Sequence, residues 1–259
     1  MRFCCRSLCH INCVIANVMS TEYDNKNAVQ GYDESLAALS YTSPGYISNM
    51  LAGLIVDIEN AKVLDLAAGT GWIGQGLYKR GFRNLDAHDG AQAMVDYCKK
   101  TGIYKDFFTC FIGDGHSLPM KDNTYDAVTC SGATVENHLP PCSQGEILRV
   151  IKPGGFFVNG YRGNLSETEV EYAKEWHAEA ERLEKEGKWT LYGRLHFRKY
   201  LTISGGTIDI TRLIRLACDE DLDNLSSLQP AIRAHGQQNT IANKLSHSRA
   251  PPQLVIAPF

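Results

Sequence analysis

From residue 62 to residue 200 the chain alternates between short apolar runs and stretches whose apolar residues recur every three or four positions. The short runs, 62–66, 84–88, 107–112, 125–130 and 156–159, read as strands, since a strand covered on both faces needs no polar alternation. The periodic stretches between them, 72–80, 91–100 and 143–150, read as helices. Gly81 and Gly102 follow two of these stretches, where a left-handed cap is needed. Met94, Val95 and Cys98 share one helix face. Lys152-Pro153-Gly154-Gly155 is a type II turn signal ahead of the fifth strand.

Upstream, residues 22 to about 60 carry helical spacing through Tyr32, Leu36 and Leu39 and again from Tyr46 to Leu54, with a break expected at Ser43-Pro44-Gly45. Downstream, 166–186 is the clearest helix. Ser166 and Glu169 form a capping-box pattern, Val170, Ala173, Trp176, Ala180 and Leu183 line one face, and Gly187 ends it. Residues 188–200 then alternate Trp189, Leu191, Leu195 and Phe197 with polar positions, a sixth strand.

Alternating strands and helices predict an α/β fold, a parallel sheet with helices on both faces. Right-handed crossovers put the ligand at the carboxyl ends of the strands. Three segments are expected: a leader without defined structure at 1–21, one domain at 22–212, and a weakly ordered tail at 213–259. From Leu222 onward the tail is rich in Ser, Asn, Gln, Ala and Pro, with little periodicity.

Composition narrows the partners. The 259 residues are 44% hydrophobic and 21% charged, enough for a full core, and the net charge is −3. No Lys/Arg run reaches the density of a nucleic-acid footprint, so no nucleic-acid partner is expected. No stretch of 18 apolar residues would cross a membrane. Cys4, Cys5, Cys9 and Cys13 crowd the start, and Cys98, Cys110, Cys130, Cys142 and Cys218 are scattered without a CxxC pair. That spacing argues against a metal site and for free thiols in a reducing cytoplasm.

The candidate chemistry starts at VLDLAAGTGWIGQGL, residues 63–77. Gly69, Gly71 and Gly74 spell GxGxxG, yet Asp65 stands inside the strand that leads into the turn. A dinucleotide turn has no need of that acid. A buried acid needs a cation or several donors, and S-adenosylmethionine carries an ammonium group and no phosphate. The competing reading makes Asp65 a structural acid satisfied by backbone donors. Asp89 ends the second strand, 18 residues after Gly71, where a carboxylate can accept both ribose hydroxyls. As a strand-end acid near the surface, it is expected to matter little to the stability of the ligand-free fold. Gly113-Asp114-Gly115-His116 follows the third strand, with Asp114 set to accept from an adenine amino group.

In this order, VLDLAAGTG, HDG, GDGHSLP, YDAV and LRVIKPGG resemble the class I S-adenosylmethionine-dependent methyltransferases. YDESLAALSYTSPGYISNML upstream and YRGNLSETEVEYAKEWHAEAERLEKEGKW downstream are similar to the methyltransferase-like family of the Williams–Beuren syndrome region. The resemblance covers about residues 22 to 201. It implies a Rossmann-like seven-stranded sheet with its last strand antiparallel, S-adenosylmethionine as cofactor, and no assigned acceptor. The expected cofactor contacts are Asp65, Ala67, Ala68, Gly69, Gly71, Asp89, Gly90, Asp114, Gly115, His116 and Ser131, with Tyr32 and Tyr41 from the upstream helices. Gly90 stands where the family often has Ser. For the returning strand the chain offers only 207–216, which matches poorly.

The loop after the fourth strand, Ser131 to His138, holds two candidate catalytic residues, Glu136 and His138. An acceptor that is already nucleophilic needs neither, because transfer from a sulfonium can proceed by proximity and orientation. No Asn/Asp-Pro-Pro-aromatic motif follows this strand, which argues against methylation of nucleic-acid bases. The expected acceptor is a small molecule or a protein, the former favoured. The rival readings are a cofactor-binding module of the same fold without catalysis and, less favoured, an NAD-dependent oxidoreductase. Oligomeric state is not fixed by the sequence.

Overall fold

The structure is a computed structural model that describes residues 26–113, 115–201, 204–213 and 253–255. Two helices, α1 (Lys26–Ala38) and α2 (Ser43–Leu54), precede the first strand, β1 (Lys62–Leu66). There follow α3 (Trp72–Lys79), β2 (Asn84–Asp89), α4 (Gln92–Thr101), β3 (Phe107–Thr109), β4 (Tyr125–Ser131), α5 (Ser143–Val150) and β5 (Ile151–Arg162). The remaining elements are α6 (Leu165–Thr168), α7 (Val170–Lys185), β6 (Trp189–Leu201), β7 (Ser204–Leu213) and β8 (Gln253–Val255).

The strands form one sheet in the order β3-β2-β1-β4-β5-β7-β6-β8. The first five are parallel to one another, and β7 runs antiparallel to both β5 and β6. The returning strand is therefore present. Gly206–Arg212 pairs with Arg162–Phe156, so the strand begins before Thr207 and closes what would otherwise be an open edge of β5.

Strand alternation sorts the core into two faces. Leu64 and Leu66 of β1 join Val128, Ile147, Tyr172, Trp176 and Leu183 on the side of α5 and α7. Val63 joins Ile47, Leu51, Ile73, Leu77, Ala127 and Val158 on the side of α2 and α3. Asp65 shares the Val63 face by the same alternation.

Four expectations change. The break between the two upstream helices falls at 39–42, just ahead of the expected Ser43-Pro44-Gly45, and Pro44 occupies the first turn of α2, where its missing N–H costs nothing. The Lys152–Gly155 turn lies inside β5 as a bulge, with Gly154 at φ +82° and the pairing stepping from Tyr125–Ile151 to Ala127–Phe156. The third strand ends at Thr109, short of the expected residue 112. The 166–186 helix is interrupted at Glu169, at φ −135° and ψ 61°. No Ser166–Glu169 capping box forms there. The Glu169 carboxylate pairs instead with Arg162 and accepts the Glu136 N–H at 2.6 Å. Charge-assisted partners from distant segments outweigh a local cap.

The 1–21 leader lies outside the described residues. So does the 213–259 tail, apart from Leu213 and Gln253–Val255, whose backbone pairs with His196–Arg194 of β6.

Candidate functional site

The glycine loop between β1 and α3 turns through left-handed conformations at Ala67, Gly69 and Gly71. Asp65 lies beneath it, 1% exposed. One carboxylate oxygen accepts the Gly74 N–H at 3.0 Å and the Tyr104 O–H at 2.7 Å, and the other accepts the Thr129 O–H at 3.4 Å. Burial pushes the carboxyl up to about 7, against the pull of these donors. Gly74 is obligatory here, since a Cβ would stand 2.0 Å from the Tyr104 hydroxyl. Asp65 thus ties the first turn of α3 to β1 and Tyr104.

Asp89 ends β2 at the mouth of the loop. Its oxygens accept the Gly69 N–H at 2.8 Å and the Ala91 N–H at 2.9 Å. Burial raises its pKa, and those two amides and the nearby His138 lower it. The expectation that this acid is incidental to the ligand-free fold is corrected: it joins the glycine loop to the start of α4.

Helix α1 closes one side. The Asp33 carboxylate accepts from the Thr70 hydroxyl, from the Trp72 indole at 3.0 Å and from the Tyr97 hydroxyl at 3.2 Å. Tyr32, beside it, packs over Gly69.

Between these parts is a cavity of about 180 Å³ at the carboxyl ends of β1, β2 and β4. It gathers Tyr32, Ala67, Gly69, Asp89, Gly90, Ser131 and His138 from the expected set. Asp65, Ala68, Gly71, Gly115, His116, Tyr41 and Glu136 are not among its walls. Gly115, His116 and Glu136 are exposed, and Asp114 lies outside the described residues. Tyr41 stands behind the wall, its hydroxyl 2.6 Å from that of Ser131.

Other wall residues were not among the expected contacts: His88, Ala91, Met94, Cys110, Phe111, Ile112, Gly132, Ala133, Asn137 and Leu139. His88 is buried, with Nε2 2.9 Å from the Cys110 carbonyl, and burial lowers its pKa to about 4. Phe111 accounts for Gly90, because a Cβ at that position would meet the ring at 3.1 Å. The motif HDG marked the strand end, but not that Phe111 would fold back over it.

Residues 64–159 match the family described as "Methyltransferase domain". Methyltransferase-like protein 27 of Homo sapiens is 33% identical over 159 residues, 61% of this chain and 63% of that protein. Demethylmenaquinone methyltransferase of Renibacterium salmoninarum is 37% identical over 109 residues, 40% of this chain and 44% of that enzyme. The chain thus spans under two thirds of the length of either relative. Among solved structures, a TehB-like S-adenosylmethionine-dependent methyltransferase of Corynebacterium glutamicum superposes with a TM-score of 0.50 at 16% identity, covering 73% of this chain and 100% of that one.

Proposed function

We propose that this chain, whose residues 64–159 form a methyltransferase domain on a class I sheet, binds S-adenosylmethionine in the cavity and transfers its methyl group to a small-molecule acceptor. The carrying observation is the disposition of acids around the glycine loop. In a dinucleotide site the amides at the start of α3 would face a diphosphate. Here the Gly74 N–H is spent on Asp65 and is not free to meet one. Asp89 stands at the cavity wall, where a carboxylate can accept ribose hydroxyls.

The residues present fit the group in shape as well. Gly90 leaves the Phe111 ring uncovered, and Gly69 leaves room under Tyr32. Asp89 would hold the ribose, Ala67 and Gly69 would bring backbone close, and Met94, Phe111 and Ile112 would flank the base. When bound, S-adenosylmethionine supplies an electrophilic methyl on a sulfonium, which an acceptor lone pair takes while the C–S electrons stay on sulfur.

The chain's own part is to bind, orient and exclude water. Tyr32 and the segment 131–139 wall the cavity on two sides, which favours a small acceptor over a protein segment. Of the two candidate proton acceptors, His138 lines the cavity and Glu136 does not. Isothermal titration is expected to show S-adenosylhomocysteine binding and no NAD binding. Binding of NAD with a silent S-adenosylhomocysteine titration overturns the reading.

A further inference from the structure

Two buried acceptor atoms belong to residues of the cavity wall and have no donor among the described residues: His88 Nδ1 and Asn137 Oδ1. His88 is 3% exposed. Its Nε2 stands 2.9 Å from the Cys110 carbonyl, which can only accept, so the ring proton is on Nε2. Burial lowers the ring to about 4, which leaves it neutral near pH 7 with a lone pair on Nδ1. Asn137 sits at φ +67°, a left-handed conformation that Asn tolerates. A buried acceptor without a donor works against the fold that keeps it, and both of these stand at one cavity.

His88 pairs with Leu66 in the β1–β2 register, so its side chain falls on the α5 and α7 face of the sheet, opposite to that of Asp89. Ile112, Ala133 and Leu139 of the cavity wall belong to the same core face, and Cys110 packs against it. The cavity therefore runs from Asp89 into a slot with apolar sides and two lone pairs. S-adenosylmethionine has three kinds of hydrogen-bond donor. The ribose hydroxyls are answered by Asp89. The ammonium group would have to leave water for neutral partners between apolar walls. The amino group of the base is neutral, carries two N–H bonds and lies in the plane of a flat ring that such a slot admits.

We infer that His88 Nδ1 and Asn137 Oδ1 receive the two N–H bonds of the adenine amino group and select that base against a 6-oxo purine. The inference rests on the S-adenosylmethionine reading and extends it to the base. Asp114, the acceptor expected from the sequence, lies outside the described residues. A 6-oxo base turns a carbonyl oxygen toward the His88 lone pair, so acceptor meets acceptor. Asn137 can answer by turning its NH2 to that oxygen. His88 cannot, because its one ring proton is held by the Cys110 carbonyl. His88 therefore carries the larger share of the selection. Neither side chain takes part in methyl transfer; both place the base, and with it the rest of the cofactor.

The test titrates S-adenosylhomocysteine and its 6-oxo analogue, S-inosylhomocysteine, calorimetrically into wild type, His88→Phe, Asn137→Gly and Asp114→Ala. Glycine suits φ +67°, so Asn137→Gly keeps the backbone as it is. Wild type should prefer S-adenosylhomocysteine about 100-fold. His88→Phe should cut that preference about tenfold, one hydrogen bond's worth, and Asn137→Gly about threefold. The ratio of the two affinities is the readout, because a merely structural loss lowers both together. Wild type binding the two ligands within about threefold of each other overturns the inference. So does an unchanged ratio in His88→Phe, or a preference that collapses in Asp114→Ala alone; each of these leaves the cofactor reading standing. If His88→Phe fails to fold, the wild-type ratio and Asn137→Gly decide the matter. No binding of S-adenosylhomocysteine by folded wild type overturns the cofactor reading, and the base assignment with it.

Discussion

Asp89→Ala separates the two roles that the structure gives one carboxylate. In the ligand-free fold Asp89 accepts N–H bonds from Gly69 at 2.8 Å and Ala91 at 2.9 Å. A hydrogen bond to a charged group contributes about 1.5–3 kcal/mol, and the alanine variant leaves both amides without that acceptor. Water can enter the cavity and take over part of the loss, so a net destabilisation of about 2–4 kcal/mol is expected. For a chain of this size that lowers the melting temperature by about 4–16 °C. The same substitution removes the proposed acceptor of the ribose hydroxyls, and S-adenosylhomocysteine affinity should fall about 30- to 1,000-fold. Scanning calorimetry without ligand and isothermal titration with it read the two effects separately. Asp89→Asn keeps one acceptor but turns an amide toward the other N–H, and should fall between alanine and wild type in both assays. An unchanged melting temperature would show that the carboxylate does not secure the loop. Unchanged affinity at a lowered melting temperature would refute the ribose assignment alone.

Gly74→Ala should lower the melting temperature well beyond Gly31→Ala, because its Cβ would stand 2.0 Å from the Tyr104 hydroxyl while that of Gly31 meets nothing within 4 Å; equal melting temperatures would contradict the packing. Asp65 and His88 should tilt stability against pH in opposite directions. The Asp65 carboxyl is raised from 3.8 to about 7 by burial, so its contribution is full below about 3.8 and is lost as pH rises to 7. His88 is lowered from 6.5 to about 4, so its contribution is full above about 6.5 and is lost as pH falls to 4. Urea midpoints between pH 4 and 8 should therefore fall less toward neutrality in Asp65→Asn than in wild type, and fall less toward acid in His88→Leu; parallel curves would contradict both. Asp33→Ala removes the acceptor shared by Thr70, Trp72 and Tyr97, and should speed both amide exchange in α1 and S-adenosylhomocysteine dissociation. Unchanged exchange would mean that α1 is held by packing alone.

The order of strands and helices was written in the sequence. Buried parallel strands such as β1 and β4 are short, mostly apolar runs, α5 matches its periodic stretch from Ser143 to Val150, and Gly102 caps α4 at φ +69°. These features depend on residues a few positions apart, and periodicity and cap chemistry report them directly. Asp89 and the glycine loop were legible for the same reason, each marking the end of a strand. Asp65 was legible as an unusual buried acid, but not as the partner of Tyr104, which lies 39 residues away and reaches it only when the 104–106 segment packs beside β2. Glu169 was read as a cap because its local spacing fits one, and Arg162 and the Glu136 amide took it once β5 and the 131–139 loop had come together. Phe111 at the cavity, and Tyr41 against Ser131 behind its wall, come from segments whose meeting is fixed by sheet order and crossover packing. Local patterns set which elements form; contacts across the sheet, made only after the chain closes, set which side chains face one another.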